Sequence, residues 1–254
     1  MARKLAKQPT STSLSSTSTS NSNSPSAPSL PPILSDGGPL PRAVVFDLDY
    51  TLWPFWVDTH VTAPLRPNAT HTACTDRVGE SFAFYRDVPA VLHAVSLAGV
   101  RLGVASRTYA PDLGRDMLKM LHVPPLGSLS LPSTTSTANI TAENGDVVVA
   151  LNGNGNGSAK GSSSSAKDKD GKSRRAIEFF DAGLEIYPSS KIRHFETLHK
   201  RTGIPYADIL FFDDESRNRD TETLGLTMWL VRDGVTWAEV ESGIREWRRR
   251  RGVE

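Results

Sequence analysis

The stretch AVVFDLDYT, residues 43–51, decides the fold. An apolar run ends there in two carboxylates, Asp47 and Asp49, spaced by one residue. Val44, Val45 and Phe46 are β-branched or aromatic and show no polar alternation, which reads as a strand buried on both faces. Side chains alternate along a strand, so Asp47 and Asp49 project to similar sides where it ends. Two carboxylates held close are costly unless something cationic sits between them. The carboxyl end of the strands is also where ligands bind in an open α/β sheet. The pair therefore predicts a metal-assisted reaction at one end of a Rossmann-like sheet.

Four more strands are predicted outward from this one, at 101–105, 184–187, 209–212 and 227–231. Helical patterns lie between and beyond them, at 87–97, 110–121, 191–201 and 236–249. The first has Val88, Val91, Leu92 and Val95 at helical spacing and ends at Gly99, and the third ends at Gly203. Strands alternating with helices predict a parallel sheet with right-handed crossovers and helices on both faces. Residues 50–60, YTLWPFWVDTH, are aromatic-rich and contain Pro54. They read as a compact turn and hairpin over the site. Trp53, Phe55 and Trp56 are assigned to core packing, with a substrate platform as the alternative.

Two segments of the 254-residue chain are too poor in large apolar residues to offset the entropy of ordering. Residues 1–41 are Ser/Thr/Pro-rich, and residues 126–173 carry Asn-Gly repeats, a Ser run and a Lys/Asp mix. Both are expected to be disordered, as a tail and an internal insert. One domain of residues 42–254, interrupted by that insert, remains.

A net charge of +1 makes no bulk electrostatic case for nucleic acid. The basic run 248–251 reads as the solvated end of a last helix rather than a nuclear or nucleic-acid signal. Cys74 is the single cysteine, which excludes an internal disulfide and fits a reducing compartment. No apolar run approaches the roughly 20 residues that span a bilayer, so no membrane partner is expected. The Ser-rich start, with Arg3, Lys4 and Lys7 and no acids, resembles a transit peptide in composition. It lacks an Arg-rich amphipathic pattern and is read as a plain tail. The expectation is a cytoplasmic monomer, with nuclear location and mitochondrial transit as alternatives.

Polar groups recur at predicted strand ends and helix starts: Asp47/Asp49, Ser106/Arg107, Lys191 and Asp213/Asp214. Each alone is bland. Asp-x-Asp-x-Thr recurs as a turn, Ser106 is an ordinary polar residue after a strand, Lys191 a helix-start residue, and the acid pair a helix cap. All four in this order supply the inventory of phosphoryl transfer through an aspartate. A carboxylate attacks phosphorus and forms an acyl phosphate. A second acid protonates the leaving oxygen and then acts as base on water. A divalent cation lets anion approach anion, and hard oxygen ligands suit Mg²⁺. A hydroxyl and a lysine hold the remaining phosphoryl oxygens.

These residues resemble the haloacid dehalogenase (HAD) superfamily of aspartyl-phosphate hydrolases, whose four motifs fall in this order on a parallel sheet. DLDYTLWPFWVDTH (47–60), ASRT (105–108), EIYPSSKIRHFETLHKRTGIP (185–205) and FFDDESRN (211–218) are similar to the magnesium-dependent phosphatase-1 family within it. The resemblance implies a Mg²⁺-dependent phosphomonoesterase of acid-phosphatase and protein-tyrosine-phosphatase-like type, with Asp47 as nucleophile and Asp49 as general acid and base. Leu48, Asp49, Ser106, Arg107 and Lys191 would bind substrate. Asp47, the Asp49 backbone carbonyl and Asp214 would hold Mg²⁺. The family's fourth motif usually reads Gly-Asp with an acid four residues after the Asp. Setting Asn218 at that last position puts Asp214 at the ligand, with Asp213 and Asn218 standing behind it or reaching the metal through water.

Between Thr51 and Ser106 the chain is too short for a full cap domain, and the insert is too polar to fold as a lid. A capless enzyme with an open site is expected, which admits bulky phosphoesters. The resemblance points to phosphotyrosine and to phosphorylated sugar adducts on proteins. The alternatives are a small-metabolite or sugar-phosphate phosphatase, an inactive HAD-fold scaffold and a receiver-like signalling domain. A receiver carries its Lys last, whereas Lys191 here precedes Asp213 and Asp214.

Overall fold

The computed structural model describes residues 30–129 and 172–253. Expectations for residues 1–29 and 130–171 lie outside the described residues. In chain order the elements are α1 (Pro32–Ser35), β1 (Ala43–Phe46), α2 (Val57–His60), β2 (Arg66–Pro67), β3 (Cys74–Thr75), β4 (Ser81–Phe82), α3 (Val88–Leu97) and β5 (Arg101–Ser106). There follow α4 (Pro111–Met120), β6 (His122–Val123), β7 (Arg174–Arg175), β8 (Gly183–Ile186), α5 (Lys191–Thr202), β9 (Ile209–Asp213), β10 (Thr227–Leu230) and α6 (Trp237–Arg251).

β1 is buried along its whole length and lies at the centre of a five-stranded sheet of order β10-β9-β1-β5-β8. Every pairing in it is parallel, with Phe46 opposite Val104 on one side and Phe212 on the other. The alternation of side chains feeds two cores. Val44 and Phe46 pack with the apolar residues of α3, α4 and α6, while Ala43 and Val45 pack with Phe195 and Leu198 of α5. Helices therefore cover both faces, as the unbroken apolar strand requires.

The helix limits follow local signals. Ser190 caps α5 by accepting the Arg193 N–H, and Thr236 caps α6 by accepting that of Glu239. Gly203 ends α5 at φ +66°, a conformation that costs a side-chain-bearing residue.

Four expectations change, the first being that Trp56, unlike Trp53 and Phe55, is not a core residue but 50% exposed at the cleft. Residues 50–60 form no hairpin. The Leu48 carbonyl collects the N–H groups of Thr51, Leu52 and Trp53, and the chain runs on into α2. Pro54 has no N–H to give a ladder. Antiparallel pairing comes later, in the small sheet β2-β3-β4. The tail does not reach Pro41 either: Ile33 and Leu34 of α1 are buried in the main core. Nor is the basic run a freely solvated helix end. Arg248 is buried against α1 and the turn after it, and Arg250 and Arg251 pair with Glu222 and Asp208.

Because the sheet is parallel, all its strands end on one side. Asp47 follows β1, Ser106 ends β5, Asp213 ends β9, and Lys191 opens the helix after β8. Topology alone thus gathers four motifs that lie up to 167 residues apart in sequence.

Candidate active site

Asp47 prolongs β1 by donating its N–H to the Phe212 carbonyl at 2.9 Å, which fixes its backbone against β9. Its side chain meets Lys191, whose Nζ lies 2.8 Å from Asp47 Oδ1, 2.9 Å from Asp213 Oδ2 and 2.5 Å from the Ala105 carbonyl oxygen. Lys191 is 2% exposed and all three of its donors are committed to the protein. Burial pushes the lysine down, but the flanking carboxylates of Asp47 and Asp213 outweigh it and hold the ammonium above its ordinary range. Lys191 thus neutralises the acids from behind rather than standing in the open cleft.

Asp213 is fully buried. Beyond Lys191 it accepts the Glu215 N–H and, at 2.9 Å on each oxygen, the Asn218 amide. Asp214 is half-buried and lines the cleft with Asp47 and Asp49. Adjacent residues at a strand end point to opposite sides, which separates one acid for the interior from one for the opening. Asp47, Asp213 and Asp214 can bring one carboxylate oxygen each to within 4.8 Å of one another.

Crowding perturbs the acids. Burial pushes Asp49 up to about 7, helped by the Asp47 charge. Burial, then Asp47 and Asp213, push Asp214 up to about 7. Asp47 is raised by burial against the downward pull of Lys191. Three raised carboxylates at one end of the cleft, only one of them paired with Lys191, make a site that favours a further positive charge.

Asp49 is held from one side: its Oδ1 accepts the Trp53 indole N–H at 2.7 Å and the Val57 N–H at 3.2 Å. Ser106 lies at the cleft wall, and its Oγ accepts the Thr108 N–H at 3.4 Å. Arg107, also at the wall, reaches Asn218 Oδ1 at 3.4 Å. Leu48 enters only through its backbone, since its side chain is buried in the core.

The structure therefore brings every residue singled out in the sequence to one place. The cleft, about 580 Å³ in volume, is also lined by residues the sequence did not single out, among them Asp58, Tyr109, Ser189 and Arg217. Asp58 ties two walls together by accepting the Tyr109 N–H at 3.1 Å. No sequence signal marks these positions: Asp58 sits in the short helix α2, Arg217 in a 3-10 turn after β9, and Tyr109 and Ser189 in loops. None of the cleft lining comes from β2-β3-β4, in keeping with an uncapped site.

Residues 39–250 match the model of the family described as Acid Phosphatase. A HAD-like hydrolase superfamily protein of Schizosaccharomyces pombe is 37% identical over 188 residues, covering 74% of this chain and 83% of that protein. Magnesium-dependent phosphatase 1 of Homo sapiens is 32% identical over 206 residues, covering 81% of this chain and 86% of that protein. Among solved structures, the phosphatase-domain part of BF1531 from Bacteroides fragilis, complexed with Mg, aligns at a TM-score of 0.41 and 11% identity. That alignment covers 87% of this chain and 42% of the other. The chain belongs to the acid phosphatase family of HAD-like hydrolases, in which magnesium-dependent phosphatase 1 is a relative.

Proposed function

We propose that this protein is a Mg²⁺-dependent phosphomonoesterase that works through a phosphorylated Asp47. The observation that carries the reading is Asp47 and Asp49 side by side at the cleft floor, with Lys191 fixed against the first. The acidic donor set suits Mg²⁺: hard carboxylate oxygens, too many for the one lysine. Asp47, Asp214 and the Asp49 backbone carbonyl would hold the ion. Bound there, Mg²⁺ supplies the positive charge that lets an anionic nucleophile meet an anionic phosphoryl group.

The chain's own residues do the rest. Asp47 attacks phosphorus as the bond to the leaving oxygen breaks. Asp49 gives its proton to that oxygen, then takes one from water as the water oxygen displaces Asp47. The Ser106 hydroxyl and the Arg107 guanidinium line the cleft where phosphoryl oxygens would lie. Lys191 keeps Asp47 ionised and Asp213 in place, and Asn218 braces Asp213.

The substrate reading is a bulky phosphomonoester, because the cleft is open. Trp56, 50% exposed, and Tyr109, 82% exposed, flank its mouth. Two exposed rings favour a leaving group with a flat face, such as phosphotyrosine on a protein, over a small sugar phosphate.

The test is hydrolysis of p-nitrophenyl phosphate with and without Mg²⁺, beside Asp47→Asn. Turnover that requires Mg²⁺ and is lost in the variant is the expected result. Retention of more than about a hundredth of the rate by Asp47→Asn, an amide without nucleophilic charge, would overturn the assignment.

A further inference from the structure

Trp53 lies four residues beyond Asp49, inside the turn that replaces the expected hairpin. Its ring is fully buried, and its one polar atom reaches into the candidate site. The indole N–H points back to Asp49 Oδ1 at 2.7 Å, and the Val57 N–H reaches the same oxygen at 3.2 Å. Both bonds fall on one carboxylate oxygen.

That asymmetry has a chemical consequence. An oxygen accepting two N–H bonds has its lone pairs engaged, and a proton placed on it would face two other protons. The proton of a neutral Asp49 therefore resides on Oδ2. The two bonds also lock the carboxyl plane, so Oδ2 keeps one direction through the cycle.

The indole is itself braced. It stacks on Phe55 at 5.4 Å with planes 3° apart, and on Phe84 at 6.0 Å and 24°. Phe55 in turn meets Phe82 of β4 edge to face at 4.8 Å. The Tyr85 N–H donates to the Leu52 carbonyl at 2.9 Å and joins the chain after β4 to the turn. The small sheet thus stands behind Trp53 and lines none of the cleft.

We propose that Trp53 is a positioning residue for proton transfer: its indole N–H, with the Val57 N–H, holds Asp49 Oδ1 so that Oδ2 alone carries the proton, and the β2-β3-β4 sheet buttresses the ring. The proposal rests on the phosphatase reading above. In the first step the Oδ2 proton passes to the leaving oxygen as its bond to phosphorus breaks and the Asp47 oxygen–phosphorus bond forms. In the second, a water oxygen bonds to phosphorus, the Asp47 oxygen leaves with its electron pair, and the water proton returns to Oδ2. Protons and charge balance over the cycle.

The experiment compares Trp53→Phe with wild type, both with Mg²⁺, on a series of aryl and alkyl phosphates. The readout is kcat/KM, which reports steps up to the phospho-enzyme. Alkyl leaving groups depend on the acid and p-nitrophenolate hardly does. The expected result is a fall at least about tenfold larger for alkyl than for p-nitrophenyl phosphate, out of the ~10²–10⁴-fold that a positioned acid supplies. An equal fall across the series would mean that Trp53 is only a packing residue and would overturn the proposal.

Asp47→Asn is run alongside. Turnover surviving in that variant would sink the phosphorylated-Asp47 mechanism on which this proposal rests, and this proposal with it. Should Trp53→Phe not fold, the indole N–H resonance of Trp53 in ¹⁵N-labelled wild type gives a second test. It is expected to move on Asp49→Asn, and an unmoved resonance would show that the bond does not exist.

Discussion

The ammonium of Lys191 stands 2.8 Å from Asp47 Oδ1, its side chain only 1% exposed. A surface pair at this distance would be worth little. A buried one is different, because removing one partner strands the other in a medium that solvates it poorly. Lys191→Met is therefore expected to cost about 3–5 kcal/mol, since it strands both Asp47 and Asp213. Phosphatase activity should be lost with it. Urea unfolding of wild type and variant checks the first part. A loss below about 1 kcal/mol would mean that water reaches the acids and that Lys191 is not their necessary partner.

Asp213 and Asp214 are neighbours in sequence but take opposite places. Asp213 is bound to Lys191 and, on both of its oxygens, to the Asn218 amide N–H, whereas Asp214 faces the cleft. Asp214→Asn is expected to raise the Mg²⁺ concentration for half-maximal activity by about 10–100-fold or more, the range seen even for partners of metal ligands. Its thermal midpoint should hardly move. Asp213→Asn should do the reverse, because its new N–H group meets the Lys191 and Asn218 donors; the cost is about 1–3 kcal/mol. A Mg²⁺ titration of activity and a melting curve on each variant decide the matter. Swapped effects would put Asp213 at the metal.

The sheet was legible because β1 is an unbroken apolar run and two later strands, β5 and β9, end in a motif residue. The strand ends at Asp47, Ser106 and Asp213 coincide with the motifs. The sequence did not betray the turn at residues 50–60: its aromatic residues suit a hairpin, and only the Asp49 carboxylate, by taking the Trp53 and Val57 donors, selects the tighter path. It also hid the use of Arg248. Four successive arginines look solvated, and nothing local tells that one of them turns inward to a segment more than 200 residues earlier. Long-range pairing of that kind leaves no periodic trace in either partner.

Arg248 forks onto both oxygens of Asp36, at 2.6 and 2.9 Å, and also donates to the Ile33 and Pro39 carbonyls. It thereby fastens α1 to α6. The guanidinium hydrogen bonds lower Asp36 from 3.8 to about 2. A carboxylate lowered on folding stabilises the protein in full above its unfolded value, and that contribution fades as pH falls from 3.8 through 2. Arg248→Ala is expected to lower the urea midpoint at pH 7, and the gap to wild type should close on acidification through that window. A gap that stays constant with pH would mean that the Asp36 pair adds nothing to stability.

His194 on α5 makes the fold sensitive to acid at a higher pH. Its ring is fully buried, with Nε2 3.0 Å from the Tyr187 carbonyl oxygen and Nδ1 without a partner. The neutral tautomer with its proton on Nε2 satisfies that carbonyl. Burial, then the charge of Lys191 one turn away, lower the ring from 6.5 to about 4; Glu185 and Arg107 exert smaller and opposed pulls. The folded state thus refuses a proton that the unfolded chain accepts. Stability from this group is complete above 6.5 and is lost as pH falls toward 4, where the loss levels off. By linkage the loss is on the order of 3 kcal/mol at most. His194→Phe gives up the bond to Tyr187 and should be less stable than wild type at pH 7.5. Below pH 6.5 its deficit should shrink, because the phenyl ring has no proton to refuse. Urea midpoints of both proteins between pH 4.5 and 7.5 provide the check, with the other titrating groups cancelling in the difference. Parallel curves would remove His194 as the cause of any acid sensitivity.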